Sequence, residues 1–244
     1  MQPVARLTLR ALAGISFSVE PGEAVALIGE NGAGKSTLLR VLATLILPSR
    51  GQAEISGCDV VSDGAGARKQ LGYYTSGDEG FYGRLTGREN LRLFATMNNL
   101  MHRQALRRID ELAELLGMEE ILDRQSRTYS TGMLQRLGLA RSLLHAPTVL
   151  LLDEPTRSLD PLAAAEFRRF LKGDIVGRLG TTLLFASHTL DEVEEMASRV
   201  VLLAEGSILA FDTPRNLCAQ TGAARLQGAL ERLTGPHSST ERNG

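Results

Sequence analysis

Residues 23–37 read Glu23-Ala-Val-Ala-Leu-Ile-Gly-Glu-Asn-Gly-Ala-Gly-Lys-Ser-Thr37, and this stretch decides the fold class. A short apolar run ends in a glycine-rich turn, and apolar residues then recur at helical spacing from Ser36 to Leu45. The order predicts a strand, a tight loop and a helix. The loop fits the pattern G-x-x-x-x-G-K-[ST], whose successive backbone N–H groups can turn inward around phosphate groups.

The side chains of this loop predict which parts of a nucleotide it would contact. Lys35 can reach the β and γ phosphates, and the Ser36 hydroxyl would hold Mg²⁺. A glycine turn without a ligand is the alternative, and the lysine between a strand and a helix argues against it. The predicted nucleotide-binding residues of the loop are Gly29, Glu30, Asn31, Gly32, Ala33, Gly34, Lys35, Ser36 and Thr37.

A second apolar strand, Val149 to Asp153, delivers two adjacent acids at its carboxyl end, the edge where open α/β sheets bind ligands. Successive side chains of an extended strand diverge, so Asp153 is expected to face Mg²⁺. Glu154 is then expected to face the γ-phosphate and to accept a proton from attacking water. Beside the phosphate loop, the two acids predict hydrolysis of a nucleoside triphosphate.

The remaining pattern predicts an α/β fold with a mostly parallel core sheet flanked by helices, the fold of P-loop NTPases. Further strands are expected at Leu71 to Tyr74 and at Thr182 to Ser187, with a small N-terminal antiparallel β portion that includes Ile15 to Val19. A β-hairpin is expected after Arg199, followed by one final helix from about Pro214.

From Glu89 to Leu144 the sequence pattern is typical of helices only. It predicts a helical subdomain at about 88–145 inserted in the α/β core. Residues 1–234 are then expected to form a single domain, and residues 235–244 a disordered tail.

Three later segments identify the class of NTPase that the chain resembles. Tyr129-Ser-Thr-Gly-Met-Leu-Gln-Arg136 resembles the signature motif of ATP-binding cassette ATPases, Ser158-Leu-Asp160 resembles their D-loop, and Ser187-His188 resembles their switch histidine. The order and spacing agree over about Ile15 to Phe211. The resemblance implies an ATPase that uses ATP and Mg²⁺.

The same resemblance implies a head-to-tail dimer with nucleotides at its interface. Ser130 and the Gly132 backbone of one copy would contact the γ-phosphate held by Lys35 of a second ATPase subunit, so that ATP binding closes the dimer and hydrolysis opens it. The implied catalytic residues are Glu154, His188 and Lys35, and the implied metal ligands are Ser36 and Asp153. Asp160 is expected to cap a helix as well as to link the two sites.

Several positions depart from the usual family pattern. Thr131 and Met133 replace a glycine and a glutamine of the signature, in a form that resembles bacterial exporters of the drug, sodium and polysaccharide efflux kind. Ser76 stands where a glutamine is usual, so it coordinates through water, Asp78 substitutes, or coupling to the membrane subunit differs. No aromatic residue between Met1 and Leu12 is available to stack on adenine.

Composition narrows the functional classes. The net charge of -1 gives no electrostatic footprint for nucleic acid, and no N-K-x-D motif for guanine is present. The chain has no apolar stretch long enough to span a bilayer, so we expect a soluble subunit bound peripherally at the cytoplasmic face of the inner membrane by separate membrane-spanning permease subunits. The alternative is a soluble cassette ATPase that serves a cytosolic assembly or scaffold complex.

Overall fold

The computed structural model of the chain describes residues 10–76 and 80–235. Its strands are β1 (Ala24–Ile28), β2 (Glu54–Ile55), β3 (Cys58–Asp59), β4 (Leu71–Thr75), β5 (Val149–Asp153), β6 (Thr182–Ala186), β7 (Arg199–Ala204) and β8 (Ser207–Asp212). Its α-helices are α1 (Lys35–Leu42), α2 (Gly64–Gln70), α3 (Gly87–Met97), α4 (His102–Leu116), α5 (Thr131–Leu143), α6 (Pro161–Phe170), α7 (Leu190–Met196), α8 (Pro214–Thr221) and α9 (Leu226–Thr234). A 3₁₀ turn spans Ser126–Thr128, and π-helical geometry continues α6 over Leu171–Arg178.

Within the described residues, the main sheet has six strands in the order β4-β5-β6-β1-β7-β8. In this order, each strand is parallel to the next as far as β7, and β8 is antiparallel to β7. Every residue of β1 and β6 is buried, as expected for parallel strands whose two faces are both covered. The carboxyl ends of β1, β5 and β6 therefore meet at one edge of the sheet.

The predicted helices between residues 89 and 144 are present as α3, α4 and α5, which pack against one another. Their contact is apolar, with Leu91, Ile109, Leu112 and Leu137 fully buried. α4 ends at Gly117, whose φ of 60° is the left-handed cap that a glycine adopts readily. α5 also contacts β4, and this contact connects the helical layer to the sheet.

The N-terminal segment differs from the prediction, because Ile15 to Val19 is part of no strand in the described structure. Its apolar alternation is nevertheless used, since Ile15, Phe17 and Val19 pack on the sheet and the intervening residues are exposed. Phe17 lies edge-on to Phe211, with ring centroids 5.6 Å apart. The small antiparallel pair is β2 with β3 instead.

The C-terminal helix also differs from the prediction, since it is divided into α8 and α9. α8 ends at Gly222, which has a φ of 67°, and α9 begins only at Leu226. The predicted tail lies outside the described residues except for Gly235. In the described part of the chain, no helix is both long enough and apolar enough to cross a membrane.

Candidate nucleotide-binding and hydrolytic site

The loop after β1 has the backbone that close contact with phosphate groups requires. Gly34 is the N-cap of α1 and has a φ of 107°, a conformation that strains other residues. A Cβ at Gly29 would lie 2.2 Å from the Leu203 carbonyl oxygen, so the backbone of β7 packs too closely there for any side chain. Glu30, Asn31 and Gly32 form the exposed part of the loop, which predicts that a ligand approaches from that side.

Lys35 opens α1, and its side chain lies inside this loop. Its Nζ donates to the carbonyl oxygens of Gly29 at 2.6 Å and Glu30 at 3.0 Å, and the residue is 6% exposed. Burial lowers the pKa of Lys35, while the nearby charges of Glu154 and Asp153 raise it. The ammonium group is therefore held at the loop and close to both predicted acids.

Ser36 and Asp153 meet across α1 and the carboxyl end of β5. Ser36 Oγ donates to Asp153 Oδ1 over 3.1 Å, and Asp153 is 7% exposed. A hydroxyl and a carboxylate side by side suit Mg²⁺, which takes one or two protein oxygens and keeps other positions for water and substrate phosphates. The donor set thus fits the predicted metal.

Glu154 leaves the strand rather than extending it, which differs from the prediction. Its φ is 51°, in the left-handed region that is unfavourable for a residue with a Cβ. Its N–H still donates to the Ala186 carbonyl at 3.0 Å, so the main chain stays tied to β6 while the side chain turns. Glu154 and Asp153 therefore diverge because of a backbone turn and not because of strand alternation. Such strain is found preferentially at functional sites.

The Glu154 carboxylate is held on both oxygens. Oε1 lies 2.5 Å from His188 Nε2, and Oε2 lies 3.1 Å from Arg157 Nη1. The Glu154 side chain is only 19% exposed, whereas that of Arg157 is 73% exposed, so the arginine is the easier of the two partners to displace.

A cleft of about 310 Å³ opens beside this group. Asn31 lines it from the phosphate loop, Glu154 and Arg157 from the turn after β5, and His188 from the turn after β6. The structure thus brings together the loop, the acids and the histidine that the sequence singled out. The predicted residues Ser130 and Gly132 do not line this cleft.

Ser130 is placed instead at the exposed N-terminus of α5. Its side chain accepts a hydrogen bond from Met133 N at 3.3 Å, so it caps the helix as serine commonly does. The preceding Tyr129 is buried and donates its hydroxyl proton to the Ile121 carbonyl over 2.5 Å. The signature segment is therefore anchored on one side and open on the other.

The segment after β4 is organised by Asn90, which is fully buried on α3. Its side chain accepts from Tyr82 N at 2.8 Å and donates to the carbonyl oxygens of Tyr82, Leu85 and Thr86. Ser76 N lies 3.3 Å from the Asp153 carbonyl oxygen, beside the metal ligands, and Asp78 lies outside the described residues. The stretch from Met1 to Leu12, which has no aromatic residue to stack on adenine, also lies mostly outside the described residues.

Two buried polar residues near the acids were missed by the sequence analysis. Gln135, on α5, donates from Nε2 to the Pro155 carbonyl, and Glu192, on α7, contacts the Ser187 hydroxyl. The available signal for Glu192 was its helical spacing, because it is four positions before Met196 and so shares a face with a buried methionine.

Comparison with known proteins agrees with the motif order. The family model described as ABC transporter matches residues 12–157. The chain belongs to the ABC transporter family. It is 35% identical to the ABC transporter ATP-binding protein NatA of Bacillus subtilis (strain 168). That alignment spans 201 residues and covers 82% of this chain and 81% of NatA. It is 39% identical to the daunorubicin resistance ATP-binding protein DrrA3 of Streptomyces coeruleorubidus. That alignment spans 224 residues and covers 91% of this chain and 69% of DrrA3.

A solved structure described as the ATP binding subunit of an ABC transporter superposes on this chain with a TM-score of 0.79. The two sequences are 31% identical, and the superposition covers 92% of this chain and 93% of that chain. The chain is thus an ATP-binding cassette ATPase, which binds ATP and converts ATP and water to ADP and phosphate for transmembrane transport.

Proposed function

We propose that this cassette is the nucleotide-binding subunit of an exporter and that it works as a dimer on separate membrane-spanning subunits. The observation that carries the proposal is the convergence of Lys35, the Ser36–Asp153 pair and the Glu154–His188 pair at one edge of the sheet. Export is supported by the relatives, since DrrA3 is named for daunorubicin resistance. The form of the signature around Thr131 and Met133 favours the same subfamily.

The roles that we assign follow from the geometry. Glu154 accepts a proton from the attacking water, and His188, within contact of its carboxylate, orients that carboxylate and the water. Lys35 exchanges its bonds to the Gly29 and Glu30 carbonyls for the β and γ phosphates, because a charged oxygen is a stronger acceptor than a carbonyl.

Ser36 and Asp153 are the residues that would hold Mg²⁺. When bound, the ion would neutralise charge on the phosphate oxygens. Other backbone N–H groups of the Gly29 to Thr37 loop would donate to the same phosphates.

A second copy of the chain would complete the site. Ser130 and the Gly132 backbone stand at the free N-terminus of α5, away from the cleft of their own chain, and a helix N-terminus favours an anion. In a two-fold dimer each α5 would face the γ-phosphate of the partner copy, and loss of that phosphate would favour opening.

The two ATPase subunits would be peripheral, bound to the membrane-spanning subunits at the cytoplasmic face of the inner membrane. Within the chain we propose one domain over 1–234, with the helical subdomain at about 88–145. The surface around Tyr82 and Arg84, held by Asn90, would face the permease. Arg88, on α3, has a structural role, because its guanidinium is occupied by Asp110 at 2.6 Å and Asp123 at 2.8 Å.

The test is gentle detergent extraction of the tagged protein from its native cells, followed by mass spectrometry of the proteins that copurify. A multi-spanning membrane protein in stoichiometric amount is the expected result. Only soluble partners, together with absence of the chain from membranes, would overturn the transporter proposal in favour of a cytosolic scaffold ATPase.

A further inference from the structure

Glu192 is a buried carboxylic acid that the proposed chemistry does not use. It is 1% exposed, and its Oε1 has no hydrogen-bond partner among the described residues. A buried carboxyl group with an unpaired oxygen costs free energy, so a purely packing role would be better served by an apolar side chain. The contacts of its other oxygen indicate what it does.

Glu192 Oε2 contacts the Ser187 hydroxyl, which is itself central to the turn after β6. Ser187 Oγ accepts a hydrogen bond from Thr189 N at 3.0 Å, and Ser187 N donates to the Leu27 carbonyl at 3.2 Å. His188 lies between these two fixed residues. The hydroxyl has a single proton to donate, and its two possible acceptors are Glu192 Oε2 and, at 3.2 Å, the Thr189 carbonyl. A carboxylate is the stronger acceptor, so Glu192 takes this proton and connects α7 to the turn.

The charges around Glu192 leave this contact as its main interaction. Arg168 is nearby, but its Nε is committed to Glu195 at 2.6 Å. Burial raises the pKa of Glu192 and the nearby charge of Glu154 acts in the same direction, whereas the hydrogen bond from Ser187 and the charge of Arg168 oppose it. These surroundings suit a residue that accepts a hydrogen bond from Ser187, because accepting that bond requires no ion pair.

We infer that Glu192 is a positioning residue that fixes the Ser187–Thr189 turn and thereby holds His188 against Glu154. The inference rests on the proposed roles of Glu154 and His188 in hydrolysis. Glu192 borders the cleft but is almost wholly buried there, so its effect on turnover passes through the imidazole of His188.

The experiment compares Glu192→Ala and Glu192→Gln in the full-length chain, each with and without His188→Ala. The matched control is Glu194→Ala, which removes an exposed glutamate from the same helix. Three quantities are measured: kcat for ATP hydrolysis, KM for ATP, and the hydrogen-exchange rate of backbone amides 187–190 in the nucleotide-free protein.

We expect Glu192→Ala to lower kcat by roughly tenfold to a hundredfold, the cost of misplacing an oriented group, and to change KM less than about twofold. Glu192→Gln should recover most of the rate, because its amide oxygen still accepts the Ser187 proton. In the His188→Ala background Glu192→Ala should have no further effect, since residues that act as a unit are non-additive. The amides of the turn should exchange faster in Glu192→Ala and at the wild-type rate in the control.

An equal loss of kcat in both backgrounds would overturn the inference, because Glu192 would then act by another route. Unchanged exchange in Glu192→Ala would overturn it as well. Wild-type turnover in His188→Ala alone would instead disprove the proposed role of His188, and the exchange rates would still decide whether Glu192 holds the turn.

Discussion

Glu154 Oε1 lies 2.5 Å from His188 Nε2, and the contact follows from the register of two neighbouring strands. β5 and β6 are parallel, with Asp153 opposite Ala186, so the residues just beyond each strand emerge side by side. The Glu154 N–H bond to the Ala186 carbonyl fixes the start of that turn. The proposed base and its orienting imidazole are therefore brought together by the sheet itself.

Lys35→Ala should weaken ATP binding by about 10- to 100-fold, because hydrogen bonds to charged groups contribute about 1.5–3 kcal/mol. The dissociation constant can be measured with a fluorescent ATP analogue. Lys69→Ala is the matched control, since Lys69 is exposed on α2. Binding of ATP by Lys35→Ala at wild-type affinity would show that the phosphate-loop assignment is mistaken.

Tyr129→Phe should lower the free energy of unfolding by about 1–3 kcal/mol, because it leaves a buried acceptor without its donor. The Tyr129 hydroxyl donates to the Ile121 carbonyl over 2.5 Å, and the residue is 8% exposed. Urea denaturation measures the change. Tyr82→Phe, at a residue 56% exposed, should stay within about 0.5 kcal/mol of wild type. Equal effects of the two substitutions would argue against the anchoring bond.

The pair of Glu23 and Arg199 should make stability sensitive to acid. Glu23 accepts from Arg199 Nε and Nη2, each at 2.5 Å, and this bond holds the pKa of Glu23 below its ordinary value of 4.5. A carboxyl group whose pKa is lowered in the folded state stabilises the protein above its unfolded pKa, and that contribution is lost as the pH falls through the folded pKa.

Glu23→Gln should therefore destabilise the protein most near neutral pH and less as the pH falls through the range below about 4.5. Denaturant unfolding of both proteins across this range measures the difference. Glu166→Gln, at an exposed residue of α6, is the control and should run parallel to wild type. A difference between Glu23→Gln and wild type that is independent of pH would contradict the account.

The core of the fold could be predicted from sequence because its strands are continuous apolar runs. β1, β5 and β6 lie within the runs 23–29, 149–153 and 182–187 that predicted them, since a strand buried on both faces is mostly apolar. The phosphate loop followed from residue type alone, because its glycines and lysine have few other uses in that order.

What could not be predicted depends on partners distant in the chain. The alternation from Ile15 to Val19 correctly predicts which side chains pack inward, but it does not reveal that the backbone lacks a strand to pair with in the described structure. The positive φ of Glu154 accompanies its bond to Ala186, a residue of a different strand. Ala186 lies more than thirty positions after Glu154 in the chain, and the register of the sheet brings the two residues together.

The most direct test of the central claim is Glu154→Gln, assayed for turnover and for self-association with ATP and Mg²⁺. Loss of a general base should lower kcat by about 10²- to 10⁴-fold, while the untouched phosphate loop retains ATP and stabilises a dimer seen by size-exclusion chromatography with light scattering. Lys35→Ala in the same background should remain monomeric. Turnover of Glu154→Gln at the wild-type rate would remove Glu154 from the mechanism, and a monomer with bound ATP would contradict the shared site.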